Sequence, residues 1–116
     1  MAFDTSVLDE ALARRRATYE QERKILLAEV QRLLDDLGPR YGIQQAYVFG
    51  SLVTPGRFIP ESDVDIAVEQ IDPVHFFEAM GEFSMRLKRE VDLVELNKCH
   101  FADKIRREGI LWTRSG

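Results

Sequence analysis

The sequence predicts an α+β fold in which a small mixed β-sheet is covered by helices. Two observations support this prediction. The first third of the chain has apolar residues at helical spacing, and residues 64–68 alternate apolar and polar side chains with the period of two that is typical of a half-buried strand. The predicted elements follow in the order helix, strand, strand, helix, strand, helix. This order favours a sheet packed against helices.

The first predicted element is a long N-terminal helix over residues 5–37, which contain no Gly or Pro. Its second half carries an apolar stripe at helical spacing: Leu26, Val30, Leu33, Leu34 and Leu37. Its first half is more polar and includes Arg14, Arg15 and Arg16, so we expect a solvated charged face there. Gly38 and Pro39 predict the end of this helix, because Gly suits a left-handed cap and Pro cannot continue the helix.

Two strands and a loop are predicted next. Residues 43–49 indicate a strand that is closed by Gly50, and the following loop, rich in Gly and Pro, runs to Ser62. Residues 64–68 form the second predicted strand. We expect residues 1–37 to be a helical extension and residues 38–116 to be one compact domain.

The C-terminal part predicts a second helix, a third strand and a short final helix. Asp72 and Pro73 begin the second helix as N-cap and first-turn residue. Residues 91–96 are the third strand, and residues 101–108 are a short helix that ends at Gly109. Residues 110–112 could add a last strand.

Composition excludes several classes of protein. The formal net charge of −4 argues against binding a long nucleic acid, because Lys and Arg that neutralise phosphates supply most of that affinity. The single Cys99 cannot form an intramolecular disulfide, and the first residues lack the pattern of a secretion signal. No apolar run approaches the ~20 residues of a membrane span. We therefore expect a cytoplasmic protein with no membrane partner.

Three acidic residues on predicted strands form the strongest chemical signal. Asp63 and Asp65 are two residues apart, so their side chains project from the same face of a strand. Asp92 can point into the same space if the third strand lies beside the second. Three clustered carboxylates repel one another without a cation, but they offer the hard oxygen donors that suit Mg²⁺. Such a site can orient a displacement at phosphorus.

Gly50 and Ser51 lie where a strand passes into a loop, upstream of these acids. Gly50 allows the backbone to approach a polyphosphate closely, and Ser51 offers a hydroxyl and an amide. A Gly-Ser pair alone is usually only a turn. Followed by three acids on strands, it indicates a phosphate-binding turn beside a metal site.

Residues 48–51, continued by residues 60–68, resemble the signature of the DNA polymerase beta-like nucleotidyltransferase superfamily. More narrowly, they are similar to the minimal nucleotidyltransferases (MNT) that are encoded beside HEPN proteins in prokaryotic toxin–antitoxin pairs. Residues 91–94 resemble the strand of the third acid, and residues 105–109 resemble the closing helix. The resemblance covers about residues 43–112 and implies a polymerase beta-like fold to which the long N-terminal helix is added.

The resemblance implies a role for each site residue. Gly50 and Ser51 would hold the triphosphate of ATP, Asp63 and Asp65 would bind Mg²⁺, and Asp92 would complete a two-metal site and assist the incoming hydroxyl. It further implies that the chain is an antitoxin that transfers AMP from ATP to a hydroxyl, such as that of a tyrosine, on a HEPN ribonuclease toxin.

The chain departs from the family pattern in the loop. Residues 52–62 are one residue more than the family usually places between Gly-Ser and Asp-x-Asp, and Leu52, Val53 and Thr54 stand where many members carry an arginine. Arg57 could contact phosphate instead, although an exposed loop arginine is the simpler interpretation. Two alternative functions stay open: an antitoxin that neutralises by binding alone, and a nucleotidyltransferase that acts on a small molecule such as an aminoglycoside.

Other residues are interpreted as structural. For His75 and His100 we expect surface or capping positions, because neither has a partner at metal-binding spacing. We expect Cys99 to be at least partly buried. Four aromatic side chains are expected in the core: Phe76, Phe77, Phe83 and Trp112.

Overall fold

The computed structural model describes residues 5–115 of the chain. The helices are α1 (Ser6–Leu37), α2 (Phe76–Leu87) and α3 (Ala102–Glu108), and the strands are β1 (Gln45–Phe49), β2 (Val64–Val68), β3 (Val91–Glu95) and β4 (Ile110–Thr113). Short 3₁₀ helices occupy Pro39–Tyr41, Gly50–Val53, Pro73–His75 and Leu96–Lys98. Every element predicted from the sequence is present, and the bounds shift by no more than a few residues.

The four strands form one mixed sheet in the order β3-β2-β1-β4. β1 pairs antiparallel with both β2 and β4, whereas β2 pairs parallel with β3. The parallel pair is connected through α2, as a parallel connection requires a crossover. The predicted α+β class with a mixed sheet is therefore confirmed.

The two faces of the sheet have different roles. One face packs against α1 and α2 in the main core, to which β2 contributes Val64, Ile66 and Val68. The opposite face carries a smaller cluster under α3, built around Ala67, Leu96, Ala102 and Ile105. Because α3 has only seven residues, it covers only part of this second face.

The second half of α1 lies in the main core through the stripe predicted from the sequence: Leu26, Val30, Leu33, Leu34 and Leu37. The first turns of α1 are exposed, and Leu8 there is 57% exposed. The division of the chain at residue 37 stays a prediction. No helix among residues 5–115 is long and apolar enough to cross a membrane.

Two structural expectations are wrong in detail. The helix α1 does end before Gly38, but Gly38 has φ −52° and is right-handed, so a left-handed cap is not the reason for glycine there. A Cβ on Gly38 would lie 2.5 Å from the ring of the buried Trp112, so close packing requires the glycine. Phe83 is buried as expected, whereas Phe77 is 79% exposed, since it lies on the face of α2 away from the sheet.

Candidate active site

Asp65 and Asp92 are neighbours across the parallel pair β2 and β3, where they are direct register partners. Residues that oppose each other on adjacent strands share a face of the sheet. Asp65 also opposes Phe49 of β1, which belongs to the cluster under α3. The two carboxylates therefore lie on the second face of the sheet, beside the part that α3 covers.

Asp65 is held in an unfavourable environment for a charged carboxylate. Burial, the negative charges of Asp92 and Asp63, and a hydrogen bond with Asp92 together raise the pKa of Asp65 to about 6. The side chain is only partly exposed. A bound cation would offset this repulsion, because its positive charge would balance the negative charges of the carboxylates around it.

Asp63 lies one residue before β2 and is exposed. Its charge contributes to the raised pKa of Asp65, so Asp63 lies in the same region as the pair. Among residues 5–115, however, no three His, Cys, Asp or Glu side chains are grouped closely enough to hold a metal ion. The carboxylates that the strands bring into register are Asp65 and Asp92.

Gly50 follows β1 directly and begins the 3₁₀ helix Gly50–Val53. Its φ of +80° lies in the left-handed region that favours glycine. A Cβ at this position would overlap the carboxylate oxygen Oδ2 of Asp65. The backbone of the Gly50–Ser51 turn is therefore packed directly against the acidic pair, which joins the two motifs that the sequence analysis singled out.

Three carbonyl groups of the Gly50–Val53 turn accept hydrogen bonds within the protein. The hydroxyl of Thr54 donates to the Gly50 carbonyl at 2.9 Å, and the Thr54 amide donates to the Ser51 carbonyl at 3.2 Å. The Leu52 carbonyl accepts a hydrogen bond of 3.0 Å from Arg23 of α1. Arg23 could not be identified from the sequence, because the pattern of residues 5–37 predicts only a helical extension.

A cavity of about 270 Å³ opens beside Gly50, between the turn and α3. It is lined by Phe49, Gly50, Val53, Thr54, Arg57, Phe101, Lys104, Ile105 and Glu108. The side chains of Arg57 and Lys104 make no ion pair or hydrogen bond with any other part of residues 5–115. Arg57 can be named from the sequence as a candidate phosphate contact, but Lys104 cannot, since nothing in the sequence pattern shows that α3 lies near the Gly50 turn.

The residues interpreted as structural mostly occupy such positions. His75 contacts the Asp72 carboxylate at 2.8 Å, and Asp72 caps the Pro73–His75 turn through the Val74 amide. Cys99 is half-buried. Trp112 is buried and donates its indole N–H to Asp35 at 2.7 Å.

Comparison with known proteins agrees with this geometry. Residues 32–115 match the family model described as Polymerase beta, Nucleotidyltransferase, and the chain belongs to this family. The fold and this family match together identify a nucleotidyltransferase domain. No curated protein matches the chain.

Solved structures of toxin–antitoxin pairs contain similar chains. A chain from a crystal structure of a toxin–antitoxin with AMP-PNP is 28% identical, with a TM-score of 0.57 over 76% of this chain and 73% of that one. A chain from the toxin–antitoxin MntA-HepT is 25% identical, with a TM-score of 0.53 over 78% of this chain and 72% of that one.

The environment of Asp65 makes stability depend on pH. Its pKa of about 6 in the folded chain is above the ordinary value of 3.8, so the folded state binds the proton more tightly between these values. Stability is therefore lost as pH rises from about 4 to about 6, in the absence of divalent cations. Asp65→Asn should raise the free energy of unfolding by about 1 kcal/mol at pH 8, a figure reduced for solvent screening. At pH 3.5 it should have little effect.

Urea unfolding at both pH values measures this difference. Glu61→Gln is the control, since Glu61 is an exposed carboxylate in the neighbouring loop and removing its charge does not relieve Asp65. An Asp65→Asn variant that is destabilised at pH 8 would contradict the proposed repulsion.

Proposed function

We propose that the chain is a Mg²⁺-dependent nucleotidyltransferase that transfers AMP from ATP to a tyrosine hydroxyl of a cognate HEPN ribonuclease toxin, and thereby acts as its antitoxin. The observation that carries this proposal is the packing of the Gly50 backbone against Asp65, which in turn faces Asp92. A phosphate-binding turn and an acidic pair are thus adjacent. This is the arrangement that nucleotidyl transfer needs.

The donor set fits Mg²⁺ without a complete protein cage. Mg²⁺ is commonly bound by one or two carboxylates together with waters and substrate phosphates. Asp65 and Asp92 supply the two carboxylates, and the exposed Asp63 is a third that is close enough to act on Asp65. When bound, the metal supplies charge neutralisation and orientation of the phosphates.

The residues of the chain account for the remaining steps. The Gly50–Ser51 turn orients the triphosphate, and Asp92 accepts the proton of the acceptor hydroxyl. The hydroxyl oxygen forms a bond to the α-phosphorus of ATP, the bond from that phosphorus to the bridging oxygen breaks, and pyrophosphate leaves. In-line geometry then requires the acceptor to approach opposite the pyrophosphate.

The cavity beside Gly50 supports a polyanionic substrate. Two cations, Arg57 and Lys104, line it without internal partners, although the acidic Glu108 also lines the wall. We propose that Lys104 and Arg57 contact the outer phosphates of ATP. One of the similar chains comes from a crystal structure with AMP-PNP, which supports the proposal that ATP is the substrate.

A toxin partner is supported by the similar chains, which come from toxin–antitoxin structures. A second candidate function is neutralisation by binding alone. The specific observation in its favour is that residues 5–115 contain no ready group of three metal ligands. Against it, Asp65 keeps a carboxylate beside two like charges, which binding alone does not require.

Catalysis and binding differ in stoichiometry. One part of the chain mixed with ten parts of purified toxin, ATP and Mg²⁺ should inactivate most of the toxin and add about 329 Da per modified site, the mass of an AMP group transferred by displacement of pyrophosphate. Intact-mass spectrometry and a ribonuclease assay measure the two effects.

Asp92→Asn is the matched control for this experiment, because Asp92 is exposed and its loss should leave the fold unchanged. The variant should still form the complex but add no mass. Neutralisation that needs equimolar protein, does not need ATP and survives the Asp92 change would leave only the binding function.

The cavity assignment is tested by Lys104→Gln. Loss of one charge-assisted contact should weaken ATP binding by about tenfold while leaving AMP binding nearly unchanged, because AMP lacks the outer phosphates. Arg107→Gln is the control: Arg107 is exposed on the same helix and does not line the cavity. Equal losses for both variants, measured by calorimetry, would show only an effect of net charge.

A further inference from the structure

Arg23 connects the N-terminal helix to the turn that holds Gly50. Its Nη1 donates to the Leu52 carbonyl at 3.0 Å, while its Nε and Nη2 donate to the two carboxylate oxygens of Glu20 at 2.9 and 2.7 Å. The Arg23 side chain is only 11% exposed. Glu20 balances the charge of this guanidinium, and each of its three nitrogen atoms donates a hydrogen bond.

Arg23 lies next to the part of α1 that is buried in the main core. Leu26 and Val30 follow it along α1 and are buried in the main core. Glu20 lies one turn before Arg23 and fixes the plane of the guanidinium through the two-point contact. The position of the donor Nη1 is thus set by α1 and not by the loop that it contacts.

The acceptor belongs to the site itself. Leu52 follows Ser51 within the same 3₁₀ helix, and its side chain is fully buried in the main core. Leu52 is therefore fixed by two contacts: its side chain packs in the core, and its carbonyl accepts a hydrogen bond from Arg23. Because a peptide group is planar, fixing this carbonyl also fixes the direction of the Val53 amide, and Val53 lines the cavity beside Gly50.

We propose that Arg23 is a positioning residue that sets the conformation of the Gly50–Val53 turn and thereby the affinity for the nucleotide. The family match begins at residue 32, so Arg23 lies outside the matched segment. The long helix is then a structural part of the site and not only an addition to it. The expected effect on nucleotide affinity rests on the proposed function, whereas the effect on the turn does not.

The test compares Arg23→Met with Arg86→Met. Both changes remove an arginine that connects α1 to another element, because Arg86 of α2 pairs with Asp36 of α1 at 3.0 Å. Amide hydrogen exchange of the unliganded chain should increase in residues 50–54 for Arg23→Met and stay as in the wild type for Arg86→Met. The dissociation constant for ATP should increase about tenfold for Arg23→Met alone, as expected for loss of a charge-assisted hydrogen bond.

Arg23→Lys separates positioning from general stability, since lysine can restore one hydrogen bond to the Leu52 carbonyl but not the two-point contact with Glu20. It should recover part of the ATP affinity and part of the exchange protection. It also serves as the test variant if Arg23→Met does not fold. Unchanged exchange in residues 50–54 of a folded Arg23 variant would overturn the inference. A wild-type chain that binds no ATP would instead contradict the proposed function, and the exchange data would still decide the role of Arg23.

Discussion

The close approach of the Gly50 backbone to the Asp65 carboxylate is the constraint on which the site depends. A side chain on residue 50 would overlap that carboxylate, and the left-handed φ of +80° independently favours glycine. The turn and the acidic pair therefore cannot be moved apart without changing the pairing of β1 with β2. This pairing also places Phe49 opposite Asp65, so the register of β1 with β2 determines how close the Gly50 turn lies to the acidic pair.

The two faces of the sheet carry different residues: one face packs in the main core, and the other carries the acidic pair. On β2, alternate residues Val64, Ile66 and Val68 enter the main core, whereas Asp65 points to the other face. The large core under α1 and α2 stabilises the strands while the acidic pair, with the raised pKa of Asp65, destabilises them. Local repulsion is typical of functional sites, because the charges are arranged for a ligand and not for the folded chain alone.

Much of the fold could be predicted because it depends on local periodicity. The stripe from Leu26 to Leu37 and the alternation in residues 64–68 each identify an element and its buried face. Asp63 and Asp65 could be named for the same reason, since residues two apart on a strand share a face. Gly50 could be named from the Gly-Ser pair at a strand end, and Asp92 from its place on the next strand together with the family resemblance. The expectation of a buried Phe77 is wrong, because aromatic spacing on a helix does not show how wide the covered face of the helix is.

Contacts between elements far apart in sequence could not be predicted. Arg23 donates a hydrogen bond to the Leu52 carbonyl, and Lys104 of α3 lines the cavity beside Gly50. No sequence pattern relates the residues in either of these contacts. The need for glycine at position 38 could not be predicted either, because it arises from close packing against Trp112, which is 74 residues away in the sequence. Tertiary packing thus supplies the parts of the site that surround the signature.

Calorimetric titration of Mn²⁺ in the presence of ATP tests most directly whether Asp65 and Asp92 bind a metal ion. We expect the wild-type chain to bind Mn²⁺ much more tightly with ATP than without it, because two carboxylates and the phosphates complete the coordination together. The double variant Asp65→Asn with Asp92→Asn should lose this enhancement while remaining folded. The same enhancement in the double variant would contradict a metal site at this acidic pair.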